Sequence, residues 1–69
     1  MKIVLNNREE VLETNLEEIN VDKLLKIKKF SFTRLIVKIN DRFIPKENYG
    51  TASIHPNDKV DVIHMISGG

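Results

Sequence analysis

The sequence contains no cysteine and no tryptophan. Without cysteine it has no disulfide framework, no thiolate nucleophile and no zinc–thiolate site. No apolar run approaches the roughly 20 residues a membrane span needs. The opening Met1-Lys2-Ile3-Val4-Leu5 passes straight into polar residues, without the pattern of a secretory signal. These absences make a cytoplasmic location the expectation, away from membranes. Neither charge sign dominates: the formal net charge is +1, too balanced to argue for nucleic acid on its own. Internal repeats and low-complexity segments are also missing.

What is present is 69 residues, 41% hydrophobic and 30% charged, the composition of one soluble globular domain spanning residues 1–69. A domain this small buries only about 60% of its unfolded surface. Little core is left to hollow out for a deep active site, which favours a binding or carrier module over an enzyme. His55 and His64 are the only histidines. Neither has an obvious carboxylate partner or metal-ligand spacing, so His55 is expected as a turn residue and His64 as a partly buried or interface residue. The charges are unevenly placed. Glu9, Glu10, Glu13, Glu17 and Glu18 make the early part acidic, and Lys23, Lys26, Lys28, Lys29, Arg34 and Lys38 make the middle basic. Two solvated faces and a basic docking surface are both open readings of that pattern.

Periodicity gives the elements. Residues 2–5 start an abrupt β-branched strand, Asn6-Asn7 suits a tight turn, and residues 9–14 read as the returning strand. Val11, Leu12, Leu16 and Ile19 also fit a helical stripe. Asn20 is a good N-cap, after which Val21, Leu24 and Leu25 form one apolar helix face. Asp22 at the start and Lys26, Lys28 and Lys29 near the end suit the helix dipole. Residues 35–39 read as a strand, Asn40-Asp41 as a hairpin turn, and Arg42-Phe43-Ile44 as the return, stopped by Pro45. A short helical turn over 46–50, a turn cluster at His55-Pro56-Asn57-Asp58, a last strand over 59–66 and a flexible tail over 67–69 complete the chain.

This order places one helix across one face of a mixed sheet. The expected fold class is α+β, a β-grasp, with the first and last strands as parallel central neighbours. Side chains alternate along strands, so Ile3, Leu5, Val37, Ile39, Val60 and Val62 are expected to point towards the helix. Val4, Ile36, Lys38, Ile63 and Met65 then point away. The apolar members of that outer face, Val4, Ile36, Ile63 and Met65, read either as scattered surface residues or as a contiguous partner-binding patch. Two of the four lie on the strand that leads into the tail, which favours the patch.

The last two residues are Gly68 and Gly69. At an average glycine usage of about 7%, such an ending arises by chance in under about one chain in a hundred. A frayed terminus is the plain explanation. The chemical one starts from the carboxylate, a poor electrophile until adenylation by ATP converts it to a mixed anhydride that a sulfur nucleophile attacks. Glycines have no side chain and reach angles other residues avoid. Ser67, Gly68 and Gly69 would thus form a thin thread able to enter an activating enzyme, with the folded domain as a handle. On this reading the chain is a protein co-substrate and not an enzyme.

Three stretches carry a resemblance to the ThiS family of sulfur carriers of thiamine thiazole biosynthesis: Ile39-Asn40-Asp41-Arg42-Phe43-Ile44-Pro45-Lys46-Glu47-Asn48-Tyr49, then Asn57-Asp58-Lys59-Val60-Asp61-Val62, then Ile66-Ser67-Gly68-Gly69. Val21-Asp22-Lys23-Leu24-Leu25 is similar to the family's helix start. One departure is Asn57, where the family usually has Gly before the Asp; Asn can adopt the same left-handed conformation. The stretch over 14–20 is somewhat long for the family. The resemblance implies adenylation of Gly69 by a ThiF-type enzyme that uses ATP and Mg, sulfur supplied through a cysteine desulfurase route, and delivery to thiazole synthase, ThiG. No cofactor would be bound by this chain.

The nearest rival resemblance is MoaD, the small subunit of molybdopterin synthase, which shares the fold, the Gly-Gly end and the chemistry. A ubiquitin-like modifier, with lysine attacking the same activated carboxylate, is a further alternative. A different class is a small RNA-binding module built on Lys23, Lys26, Lys28, Lys29 and Arg34. It is disfavoured because few aromatics are available to stack on bases, and Phe30 and Phe32 are expected against the helix end.

Overall fold

The structure is a computed structural model and describes residues 1–30 and 34–65. Among these residues, seven strands and one α-helix follow in the order β1 (Lys2–Leu5), β2 (Arg8–Val11), β3 (Ile19–Asn20), α1 (Val21–Ile27), β4 (Leu35–Ile39), β5 (Arg42–Ile44), β6 (Ser53–Ile54) and β7 (Lys59–His64), with a 3-10 turn at Lys46–Asn48. Five strands make the main sheet, in the order β2-β1-β7-β4-β5. The first and last strands are parallel neighbours in its middle, with Val4 beside Lys59 and Leu5 beside Val60. This is the β-grasp arrangement that the order of elements implies.

The two outer hairpins rest on the same backbone device. Asn6 and Asn7 have φ of 50° and 67°, and Asn40 and Asp41 have φ of 50° and 68°. Two consecutive positive φ angles match the right-handed twist of the flanking strands, and Asn and Asp reach them at less cost than other non-glycine residues. Asn57 is also left-handed, with φ 71°, so it does the work of the glycine it replaces.

The helix is held at both ends by side chains and local turns. Asn20 Oδ1 accepts from the Lys23 backbone N–H at 2.7 Å, and Asn20 Nδ2 donates to the Gly50 carbonyl at 3.3 Å. The far end closes as a Schellman motif: the Phe30 N–H donates to the Leu25 carbonyl and the Lys29 N–H to the Lys26 carbonyl, with Lys29 left-handed at φ 57°. Phe30 and Leu25 are both partly buried against the core, as expected for Phe30. Phe32 lies outside the described residues.

Between helix and sheet lie Ile3, Leu5, Leu12, Ile19, Val21, Leu24, Val37, Ile44, Tyr49, Ile54, Val60 and Val62, all buried. Several features differ from the sequence reading, among them the last strand, which ends at His64 and not at residue 66. The second strand ends at Val11, short of residue 14, and no helix forms before Asn20. Leu12 and Ile19 are buried while Leu16 is 55% exposed, so those residues follow separate local contacts and share no helical stripe. A small second sheet, β3 with β6, pairs Ile19 with Ile54 and Asn20 with Ser53. It closes the core where the long connection would otherwise leave Ile54 uncovered.

Candidate functional site

β7 alternates as its sequence implies, with Val60 and Val62 buried. Its far end is different: Ile63 is 45% and Met65 46% exposed. Ile63 sits directly opposite Ile36 of β4, and Met65 follows, its backbone N–H donating to the Arg34 carbonyl at 2.9 Å. Ile36, Ile63 and Met65 therefore form one apolar strip on the outer face. Phe43 joins this face because it opposes Lys38, and it is 57% exposed. The sequence reading missed Phe43, although its place between Ile44, which points in, and the hairpin turn assigns it outwards.

Val4 belongs to the same face but not to the strip. It lies beside Lys59, and Ile63 lies four residues beyond Lys59, about 13 Å along the strand. Lys59, Asp61 and Lys38 occupy the space between, with Asp61 opposite Lys38. The expectation of one contiguous cluster of four is corrected to a strip of three plus a separate Val4. Parallel register is the cause: it is set by the long crossover, which no local pattern in β1 reports.

The start of β7 is fastened by polar groups. Asn40 Oδ1 accepts from the Lys59 N–H at 2.9 Å, and Asn40 Nδ2 donates to Asp58 Oδ1 at 3.1 Å. Lys59 Nζ donates to Asp41 Oδ1 at 3.1 Å. That hydrogen bond, then the charges of Asp41 and Asp61, hold the Lys59 ammonium above its ordinary range. On the opposite flank Asn6 Oδ1 accepts from the Val62 N–H at 2.8 Å. Residues 66–69, which include Ser67, Gly68 and Gly69, lie outside the described residues.

Of the two histidines, His55 lies in a turn away from the strip, and His64 lies between Ile63 and Met65 in the chain. His55 is exposed in its turn, 2.9 Å from Glu18 Oε1 through Nε2, a carboxylate partner that sequence spacing does not reveal. His64 is exposed at the end of β7, although its parity on the strand points it inwards; of the two expectations for it, partial burial is corrected, and an interface position is compatible with its exposure. The basic segment is partly neutralised, since Lys28 bonds Glu10 at 2.8 Å. No group of three or more histidines and carboxylates is placed to hold a metal among the described residues. Depressions are open, such as one of about 510 Å³ bounded by Asp22, Leu25, Lys26, Lys29 and Phe30. No described helix is long and apolar enough to cross a membrane.

Among the described residues, a five-stranded mixed sheet with one helix across it and an apolar strip at the end of the last strand define a ubiquitin-like protein of the β-grasp class. The ThiS family model matches residues 3–69, and the chain belongs to that family. Membership supports a sulfur-carrier role in thiamine biosynthesis. Its structure is similar to the crystal structure of the thiamine biosynthesis protein ThiS from Geobacter metallireducens, with a TM-score of 0.87 and 21% identity over 100% of both chains. A solution NMR structure of a thiamine biosynthesis protein from the same organism matches with a TM-score of 0.80 and 21% identity, covering 100% of this chain and 88% of the other. At that identity the two structures establish the fold. No curated protein matches the sequence.

Proposed function

We propose that this protein carries sulfur as a thiocarboxylate on Gly69 and gives it up to the enzyme that builds the thiazole ring of thiamine. The observation that carries the reading is a family match running through Gly69, on a fold whose central strand leads towards that residue. A ThiF-type enzyme would bind ATP and Mg and transfer AMP to the Gly69 carboxylate, releasing pyrophosphate. A persulfide supplied by a cysteine desulfurase route would then displace AMP to form an acyl disulfide, which a thiol would reduce to release the thiocarboxylate. Thiazole synthase, ThiG, would be the acceptor. The domain supplies recognition and aim, and the chemistry belongs to its partners.

Geometry limits how this works. Four residues follow Met65, and four extended residues reach at most about 14 Å. An enzyme acting on Gly69 must therefore seat the domain next to its own active site. The strip of Ile36, Ile63 and Met65, with Phe43 nearby, is the surface we assign to that seating. Gly68 and Ser67 are small enough to follow Gly69 into a narrow channel. Deleting Gly69, or adding one residue after it, is expected to abolish adenylation and sulfur transfer while leaving the circular dichroism spectrum and melting temperature unchanged. Sulfur transfer by either variant would overturn the proposal.

A further inference from the structure

β1 leaves the sheet early. Its backbone follows β7 and the turn before it only as far as Asn6: the Asn57 N–H donates to the Lys2 carbonyl at 2.7 Å, and the Val4 N–H to the Asp58 carbonyl and the Asn6 N–H to the Val60 carbonyl, each at 2.9 Å. The next rung would belong to the backbone after Asn6, but the left-handed Asn6-Asn7 turn carries that backbone away into β2. The Asn6 side chain fills the place instead, with Oδ1 accepting from the Val62 N–H at 2.8 Å in a half-buried setting. One residue thus turns the chain and extends the ladder by a rung after the chain has turned.

This rung sits at the change in β7 from buried to exposed. Val62 is 7% exposed and Ile63 45%. On the other flank β7 stays paired with β4 through Leu35 and His64 and through the Met65 N–H to the Arg34 carbonyl. A strand held on both sides keeps its register, and a slip of one residue would turn every side chain to the other face. Holding Val62 from both flanks therefore fixes which face Ile63 and Met65 present and from which point the following residues start.

We infer that Asn6 is a positioning residue for tail presentation: it clamps Val62 so that the strip and the C-terminal segment leave the sheet in one orientation. The inference rests on the carrier reading and adds to it the element that aims the tail. Asn6 touches no reacting atom. It acts by lowering the ordering cost that an activating enzyme would otherwise meet on binding.

The backbone angle allows a clean test. Asn6 has φ 50°, a conformation glycine adopts readily, so Asn6→Gly keeps the turn and removes only the acceptor. Asn6→Asp keeps an oxygen at the same position and tolerates the same angle. The experiment measures amide hydrogen exchange at Val62 and Val37, and KM and kcat for adenylation by a ThiF-type enzyme, in the wild-type protein and both variants. A hydrogen bond of this kind shifts a local equilibrium by about fivefold. Asn6→Gly should speed exchange at Val62 by about that factor with Val37 unchanged, and raise KM several-fold with kcat unchanged. Asn6→Asp should restore both. Faster Val62 exchange with unchanged KM, or unchanged Val62 exchange, would overturn the positioning role alone. A wild-type protein that is never adenylated would overturn the carrier reading and this role with it.

Discussion

The two halves of β7 carry similar side chains and do different work. In the first half Val60 and Val62 are buried, Lys59 is fastened by Asn40 and Asp41, and the Val62 N–H by Asn6 Oδ1. In the second half Ile63 and His64 are exposed, as is Met65 just past the strand. A strand's alternation says which face a residue points to, but burial also needs a layer to pack against. His64 has the inward parity of Val60 and Val62 and is exposed all the same. Apolar residues in the first half hold the fold. Beyond Val62 the apolar side chains are about half exposed, and the proposed function assigns them to binding.

The largest expected effect comes from the first half. Val62→Asp would place a carboxylate in the core without a partner, a cost of several kcal/mol. A domain of 69 residues has roughly 3–10 kcal/mol of total stability at typical values per residue. The variant should lose its cooperative thermal transition by circular dichroism, and a native-like transition would mean that the wrong face has been placed inside. The second-half counterpart, Ile63→Asp or Met65→Asp, should change stability by only about 0.5 kcal/mol while slowing adenylation roughly tenfold, as expected of a central interface residue. Unfolding of these variants, or adenylation at the wild-type rate, would remove the contrast between the halves. Val4→Thr sharpens it further. Val4 shares the outer face but lies about 13 Å from Ile63, so adenylation should change by less than about twofold; a loss as large as that of Ile63→Asp would mean the interface spans the sheet.

The smallest effect is read at Tyr49, the single tyrosine and a buried one. Burial first, and the Asp22 carboxylate second, push its phenol above the ordinary value of 10.0. The folded state therefore favours the neutral phenol. Its contribution is fully present below pH 10, where both states are protonated, and is lost as pH rises through the raised folded value, because the unfolded chain ionises first. With no tryptophan present, tyrosinate absorbance reports this group without interference. A midpoint above 10 is expected in the folded protein, moved down in Asp22→Asn. An unshifted midpoint would show that the phenol is solvated.

Much of this was legible in the sequence because it is set locally. β1 and β4 have the expected bounds, the Asn6-Asn7 and Asn40-Asp41 turns follow from residues that tolerate positive φ, and Asn20 caps the helix through its own side chain. The features that were not legible depend on distant partners. Two-residue strands such as β3 and β6 have no periodicity to detect, and their pairing exists because Ile19 meets Ile54 across more than thirty intervening positions. The separation of Val4 from Ile63 comes from parallel register. The Glu18–His55 contact and the Asn6 clamp on Val62 likewise join residues far apart in sequence. Of the site itself, alternation assigned Ile36, Ile63 and Met65 to the outer face; the same alternation assigns Phe43 outwards, and only its place beside Lys38 needed the β4–β5 register.

The most direct test of the account is the intact mass of the protein after incubation with a ThiF-type enzyme, ATP, Mg and a sulfur source. The account predicts a gain equal to replacing one oxygen by sulfur, confined to the C-terminal peptide and absent when Gly69 is deleted. An unchanged mass, under conditions in which the same enzyme converts a known carrier, would contradict it.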